Sequence, residues 1–240
     1  MSSILLTFGD SWPAGATLPD RNLAFPTLLA SNLGMSLQNL SEPATSIDHV
    51  VLAMFHFLEN SYSPINQYTA LFCLTDASRN LAWREGNQVV PARKDLWEPD
   101  CYSQELQINN KDAMSPIYFK HIHSLRLEQY NYHKNVVLLK MLSDKYNIKD
   151  FFVHNFYNPE LEFKVIGTER MYPGTLSSML ESDNITEFVP NDINFTPALP
   201  RIKYRKFSNR QYLATGGHPS VEGHKKLAIE LTNWMKLHGI

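Results

Sequence analysis

Three short, near-continuous apolar runs constrain this chain more than any other feature: Ile4-Leu5-Leu6-Thr7-Phe8, Ala70-Leu71-Phe72-Cys73-Leu74-Thr75 and Phe151-Phe152-Val153. A strand shows successive side chains to opposite faces. A run that does not alternate therefore reads as a strand covered on both sides, as in a parallel sheet.

Helical spacing fills the gaps between the runs. Ala24 to Leu33 places Phe25, Leu28, Leu29 and Leu33 on one side and stops at Gly34; Met35 to Leu40 reads as a second short strand. Ser46 to Leu58 repeats the helical pattern through Ile47, Val50, Val51, Met54 and Phe55. Residues 80–115 lose periodicity, hold Trp83 and Trp97, and are too long for a simple connection, so they read as an insertion or lid. Ser115-Pro116 is a good helix start, opening a long helix to about Tyr146 with Tyr118, Ile122, Leu125, Tyr132, Val136 and Leu139 as its stripe. A fourth strand spans Lys149 to Phe156, and Glu187-Phe188-Val189 is a candidate fifth within a stretch rich in Pro, Asn and Thr. A last helix follows Ser220 to about Leu237, turning Leu227, Leu231 and Trp234 inward. The expectation is one domain over residues 1–240. Its fold class is α/β: three layers, a flavodoxin-like parallel sheet of about five strands, and an insertion after strand three.

Charge excludes some partners. Lys and Arg number 22 against 24 Asp and Glu, for a net of -2. The one basic stretch, Arg201 to Lys206, reads as a solvated loop or strand edge rather than a nucleic-acid site. No apolar run reaches the ~18 residues of a membrane span, and the amino terminus has no signal-like segment. Cys73 reads as a core residue and Cys101 as a free thiol, which fits a reducing compartment. A soluble, cytoplasmic protein is expected.

Two segments carry chemistry. Gly9-Asp10-Ser11-Trp12 follows the first strand, where open α/β sheets gather ligands; a serine after a glycine there can present its hydroxyl to a cleft. The same residues also suit a plain turn. His218-Pro219-Ser220 precedes the last helix, and an imidazole with an ordinary pKa of about 6.5 suits general-base work. His218 could equally be a loop residue that helps cap the helix, whereas His224, inside the helix, reads as structural. No Gly-x-Gly-x-x-Gly follows strand one, and His121, His123 and His133 lack the i, i+4 spacing of a metal site, so no dinucleotide cofactor and no metal are expected.

Taken together, Gly9-Asp10-Ser11 near one end and His218-Pro219-Ser220 with Gly223-His224 near the other resemble the SGNH (GDSL-type) hydrolase superfamily of esterases, lipases and acetylhydrolases. The resemblance covers nearly the whole chain. It implies Ser11 as nucleophile, His218 as base, and an oxyanion hole from the Ser11 amide, an amide after strand two and an asparagine after strand three. Three departures follow. Ala44 stands where the family usually has glycine, and its amide can still donate. After strand three no asparagine falls at the expected spacing. Asp76 is the nearest match, though an ionised carboxylate would repel an oxyanion; Ser78 or Arg79 could donate instead, and Arg79 could equally pair Asp76. Thr215 occupies the position of the triad acid, which leaves a backbone carbonyl orienting His218 as a dyad, a substitute carboxylate such as Asp192 or Glu222, or low activity.

The resemblance implies hydrolysis of carboxylic esters; the lack of a long apolar segment for adsorbing to lipid favours small acyl groups, and tryptophans and tyrosines around the insertion make a glycan ester one candidate substrate. Trp12 and Arg79 are candidate substrate contacts. A carbohydrate-binding module with weakened catalysis and an acyltransferase are the alternatives.

Overall fold

The computed structural model describes residues 2–43, 45–75, 125–155, 166–167, 169–180, 186–188, 204–206, 211–214 and 218–240; the side chains of 125–128, 186–188 and 204–206 are outside that description. Five parallel strands form one sheet in the order β2-β1-β3-β4-β5. They are β1 (Ser3–Phe8), β2 (Ser36–Asn39), β3 (Gln67–Leu74), β4 (Lys149–His154) and β5 (Met171–Thr175). Because β1 is followed by β2 on one side and β3 on the other, the connection reverses direction beside β1. In such sheets the crevice for ligands opens at the carboxyl ends of the two diverging strands.

Helices cover both faces: α1 (Phe25–Leu33), α2 (Ile47–Asn60), α3 (Leu125–Lys145), the short α4 (Leu176–Leu180) and α5 (Val221–Leu237). The pleat sorts the strands' side chains between two cores. Leu6, Phe8, Ala70, Phe72 and Phe152 pack against α2 and α3 with Val50, Met54, Val136 and Leu139. Leu5, Leu71, Cys73, Phe151 and Val153 pack against α1 and α5 with Phe25, Leu29, Leu227 and Leu231. This is why the runs do not alternate. The register sets Phe8 beside Phe72 and Phe72 beside Phe152, and their rings stack across the three strands at 5.0 Å each. At about 25 cal/mol per Å² of apolar surface, a buried phenylalanine contributes roughly 2–3 kcal/mol.

The helix ends follow from local chemistry. Gly34 closes α1 in the left-handed conformation (φ 67). Ser46 and Ser220 cap α2 and α5, accepting from the amides of His49 and Gly223. Among the described residues no helix is long and apolar enough to cross a membrane.

Two expectations need correction. The sheet's fifth strand is β5, not Glu187-Phe188-Val189; β6 (Thr186–Phe188) pairs instead with β7 (Tyr204–Lys206) in a separate antiparallel ribbon. β5 is Met-Tyr-Pro-Gly-Thr, and a sheet edge tolerates the Pro and Gly that make this sequence look like a loop. In α2, Phe55 is exposed and Phe57 takes the buried place; the two lie on opposite edges of the apolar stripe through Ile47, Val50, Val51 and Met54, and spacing alone does not say which edge is covered. Residues 80–115, the Ser115-Pro116 helix start and Cys101 lie outside the described residues.

Candidate active site

The Ser11 turn is held from beneath. Gly9 follows β1 with φ 154, and a Cβ there would come within 2.7 Å of Pro13 Cγ and 2.8 Å of Cys73 Cβ. Glycine is what allows the turn to lie directly on β3. Next comes Asp10, fully buried. Its Oδ1 accepts from the Trp12 amide at 3.1 Å and from Asn155 Nδ2 at 2.7 Å, and its Oδ2 accepts from Thr75 Oγ1 at 3.2 Å. A buried carboxylate is costly unless it is well hydrogen-bonded, and here three donors meet that need. Thr45 Oγ1 braces the strand end by donating to the Gly9 carbonyl at 3.1 Å. Ser11 itself is only half-buried. A run of turns, not a helix, follows it: Ala14, Gly15 and Ala16 donate back to Asp10, Trp12 and Ser11.

The His218 segment is held equally closely. Leu213 bridges Pro219, Ala214 N donates to His218 O at 2.8 Å, and Ser220 N donates to Tyr212 O at 2.8 Å. This small hairpin feeds into α5. At Gly223 a Cβ would lie 2.2 Å from Tyr212 O, so the first turn of α5 sits against the hairpin backbone.

Two hydrogen bonds fix where that hairpin lies. The Phe25 amide donates to His224 Nδ1 at 3.1 Å, and further along both helices Asn32 Nδ2 donates to Thr232 Oγ1 at 3.2 Å. α1 and α5 therefore run the same way. α1 ends at Gly34, directly before β2 begins, so its first turn is at the carboxyl edge of the sheet. His218 precedes the cap of α5 and shares that edge with Ser11.

The other predicted residues divide clearly. Trp12, a candidate substrate contact, is 1% exposed and belongs to the core under α1 and α5, so it braces the turn instead. Glu222, a candidate substitute for the triad acid, is half exposed and paired with Lys225 at 2.7 Å. Ala44, Asp76, Ser78, Arg79, Asp192 and Thr215 lie outside the described residues. His224 is structural as expected: buried, stacked on Phe25, and accepting a main-chain proton. The site also uses residues that motif spacing did not flag, above all Asn155. Its only sequence signal is that it directly follows a strand's carboxyl end.

A second polar pair is buried nearby. His154, the last residue of β4, meets Tyr132 OH through Nδ1 at 2.7 Å. Burial lowers the pKa of His154 to about 4; burial, then the charge of nearby His218, lowers that of His224 to about 4. Both rings fold neutral, while in the unfolded chain they titrate near 6.5. The unfolded state therefore binds more protons between those values. The stability these rings supply is complete above about pH 6.5 and is lost as pH falls towards 4, on the order of 3 kcal/mol for each. Urea midpoints measured from pH 7.5 to 4.5 should fall steeply across that window. The drop should be shallower in His154→Gln, and an equal slope in that variant would refute the assignment.

Comparison with known proteins places this geometry in a fold. No protein-family model and no curated protein matches the sequence. Solved structures do match. Similarity to the crystal structure of TesA covers 98% of this chain and 99% of that one, with a TM-score of 0.51 at 11% identity. Similarity to a G-D-S-L family protein from Desulfitobacterium hafniense DCB-2 covers 96% and 98%, with a TM-score of 0.54 at 10% identity. Identities this low establish shared architecture and nothing finer. The chain thus shares the α/β fold of TesA and of this G-D-S-L family protein, at sequence identities near one residue in ten.

Proposed function

We propose that the protein is a serine hydrolase of carboxylic esters, with Ser11 as nucleophile and His218 as base. The observation that carries this reading is the Ser11 turn itself. Half-buried Ser11 stands at the sheet's carboxyl edge on a backbone fixed by a buried aspartate that accepts from the Trp12 amide, Thr75 and Asn155. Rigid presentation of that kind is what nucleophilic catalysis needs. In the reaction, Ser11 Oγ bonds to the acyl carbon while its proton passes to the His218 ring. The tetrahedral intermediate then collapses, and the departing alkoxide leaves as the alcohol with that proton. Water attacks the acyl-enzyme, giving one proton to His218; the second tetrahedral intermediate then collapses to the acid, and Ser11 Oγ leaves with the proton returned from His218. The amides of Ser11 and Ala44 are the proposed oxyanion donors, with Ser78 and Arg79 as further candidates.

We carry acetyl-type groups, on a carbohydrate or a small alcohol, as the preferred substrates. Glu222 is committed to Lys225, which favours a dyad over a triad completed by that residue. A fluorophosphonate probe followed by peptide mapping should place the label on Ser11, and kcat/KM should fall from p-nitrophenyl acetate to the octanoate. A label elsewhere, or none, removes the serine mechanism; a rising series removes the small-acyl preference alone.

A further inference from the structure

Asn155 stands where four parts of the fold meet. It directly follows β4; its amide donates to the Leu74 carbonyl at the end of β3 (2.9 Å), and its own carbonyl accepts from Ser177 in α4 (3.0 Å). With its main chain fixed on both sides, the fully buried carboxamide reaches the nucleophile turn and donates to Asp10 Oδ1 at 2.7 Å, shorter than the described bonds from the Trp12 amide and Thr75 Oγ1. The same oxygen accepts the Trp12 amide. Ser11 is thus the residue between two that are tied to one carboxylate oxygen, and Asn155 is the outside anchor of that oxygen.

The other end of the carboxamide shows why an asparagine is present. Asn155 Oδ1 is buried and has no hydrogen-bond partner among the described residues. Turning the amide over would not help, because an ionised carboxylate only accepts and must face the NH₂. A residue that merely filled this space would leave no acceptor stranded. The stranded oxygen is the cost of aiming a donor at Asp10.

On the serine reading above, we propose that Asn155 is a positioning residue for Ser11. It does not touch the acyl group, being buried behind the turn, but it sets the orientation of Asp10 and through it the place of the nucleophile. A displacement of about 1 Å at a reacting group can cost about 100-fold in rate, so the effect should appear in kcat rather than in KM.

The test is a swap. Asn155→Asp is isosteric but sets a second carboxylate against Asp10, and two carboxylates this close cannot both ionise; they share a proton at acid pH and repel when it leaves. With p-nitrophenyl acetate, N155D should lose about 100-fold in kcat at pH 8 with KM within about twofold, and its deficit against the wild type should narrow towards pH 5. The double variant D10N/N155D restores a donor facing an acceptor, with roles exchanged, and should return to within about tenfold of the wild type at pH 8. Circular dichroism at each pH separates loss of rate from loss of fold. A single variant with the wild-type kcat at all pH values would overturn the proposal. So would a deficit that follows the unfolded fraction, or a folded double variant no better than about 100-fold below wild type. The double variant decides the matter even if the single one does not fold. If the wild type resists the fluorophosphonate at Ser11, the serine reading fails and this one with it. If the wild type is labelled while N155D turns over at full rate, only the role given to Asn155 fails.

Discussion

Replacing Ser11 with alanine should lower kcat for p-nitrophenyl acetate by about 10⁴–10⁶-fold while leaving the fold intact. The two halves of that expectation rest on different observations. The rate falls because the acyl-enzyme has no oxygen on which to form, and what remains is the contribution of oxyanion donors and binding. The fold survives because Ser11 is only half-buried and the described hydrogen bonds that hold the turn come from other side chains. The turn is held by Asp10, Trp12 and Asn155, which the substitution leaves alone. Unfolding temperatures should therefore agree within a few degrees, as expected for a substitution worth less than about 1 kcal/mol. His218→Ala should cause a loss of similar order. The double variant should be scarcely worse than either single one, because a nucleophile and its base act as a unit. Additive losses would show that the two residues serve separate steps, and an S11A protein with wild-type turnover would end the ester-hydrolase proposal.

How much of this was legible in the sequence depends on how far apart the interacting residues lie. β1 occupies the run predicted for it, and α5 begins after Ser220 as its cap and spacing require, because both depend on neighbours in sequence. β5 was hidden by Pro173 and Gly174, whose local preference for turns is overridden by an edge position that only the assembled sheet creates. Trp12, a candidate substrate contact beside Ser11 in sequence, has its ring in a core assembled from α1, α4, α5 and the central strands, which only the folded chain brings together. Asn155 is the extreme case: its partner Asp10 is 145 residues away, and one sequence offers no rule that pairs them. The Gly9-Asp10-Ser11 motif was readable. The machinery that holds it was not.

Gly223 sets local propensity directly against tertiary packing, and packing should win. Glycine within a helix costs up to about 1 kcal/mol relative to alanine, so propensity alone would make Gly223→Ala stabilising. The structure requires the reverse. The new Cβ would lie 2.2 Å from the Tyr212 carbonyl oxygen, a main-chain atom that cannot rotate away as the end of a flexible side chain would. That oxygen already accepts the Ser220 amide, the bond that joins the His218 hairpin to the cap of α5. Relief must come from moving the hairpin or the first turn of the helix, and the other side of that helix is anchored by His224 to the Phe25 amide. We expect Gly223→Ala to destabilise by about 3 kcal/mol, the upper part of the usual range for overpacking, seen as a lower urea midpoint with an unchanged m-value. The neighbouring Glu222→Ala gives up only an exposed pair with Lys225 and should change stability by less than about 1 kcal/mol. Because the strained segment carries His218, the folded fraction of Gly223→Ala should also show reduced kcat towards p-nitrophenyl acetate after correction for unfolded protein. A variant as stable as the wild type would mean that the hairpin yields freely, and a base on so yielding a support could not hold the geometry that proton transfer from Ser11 demands.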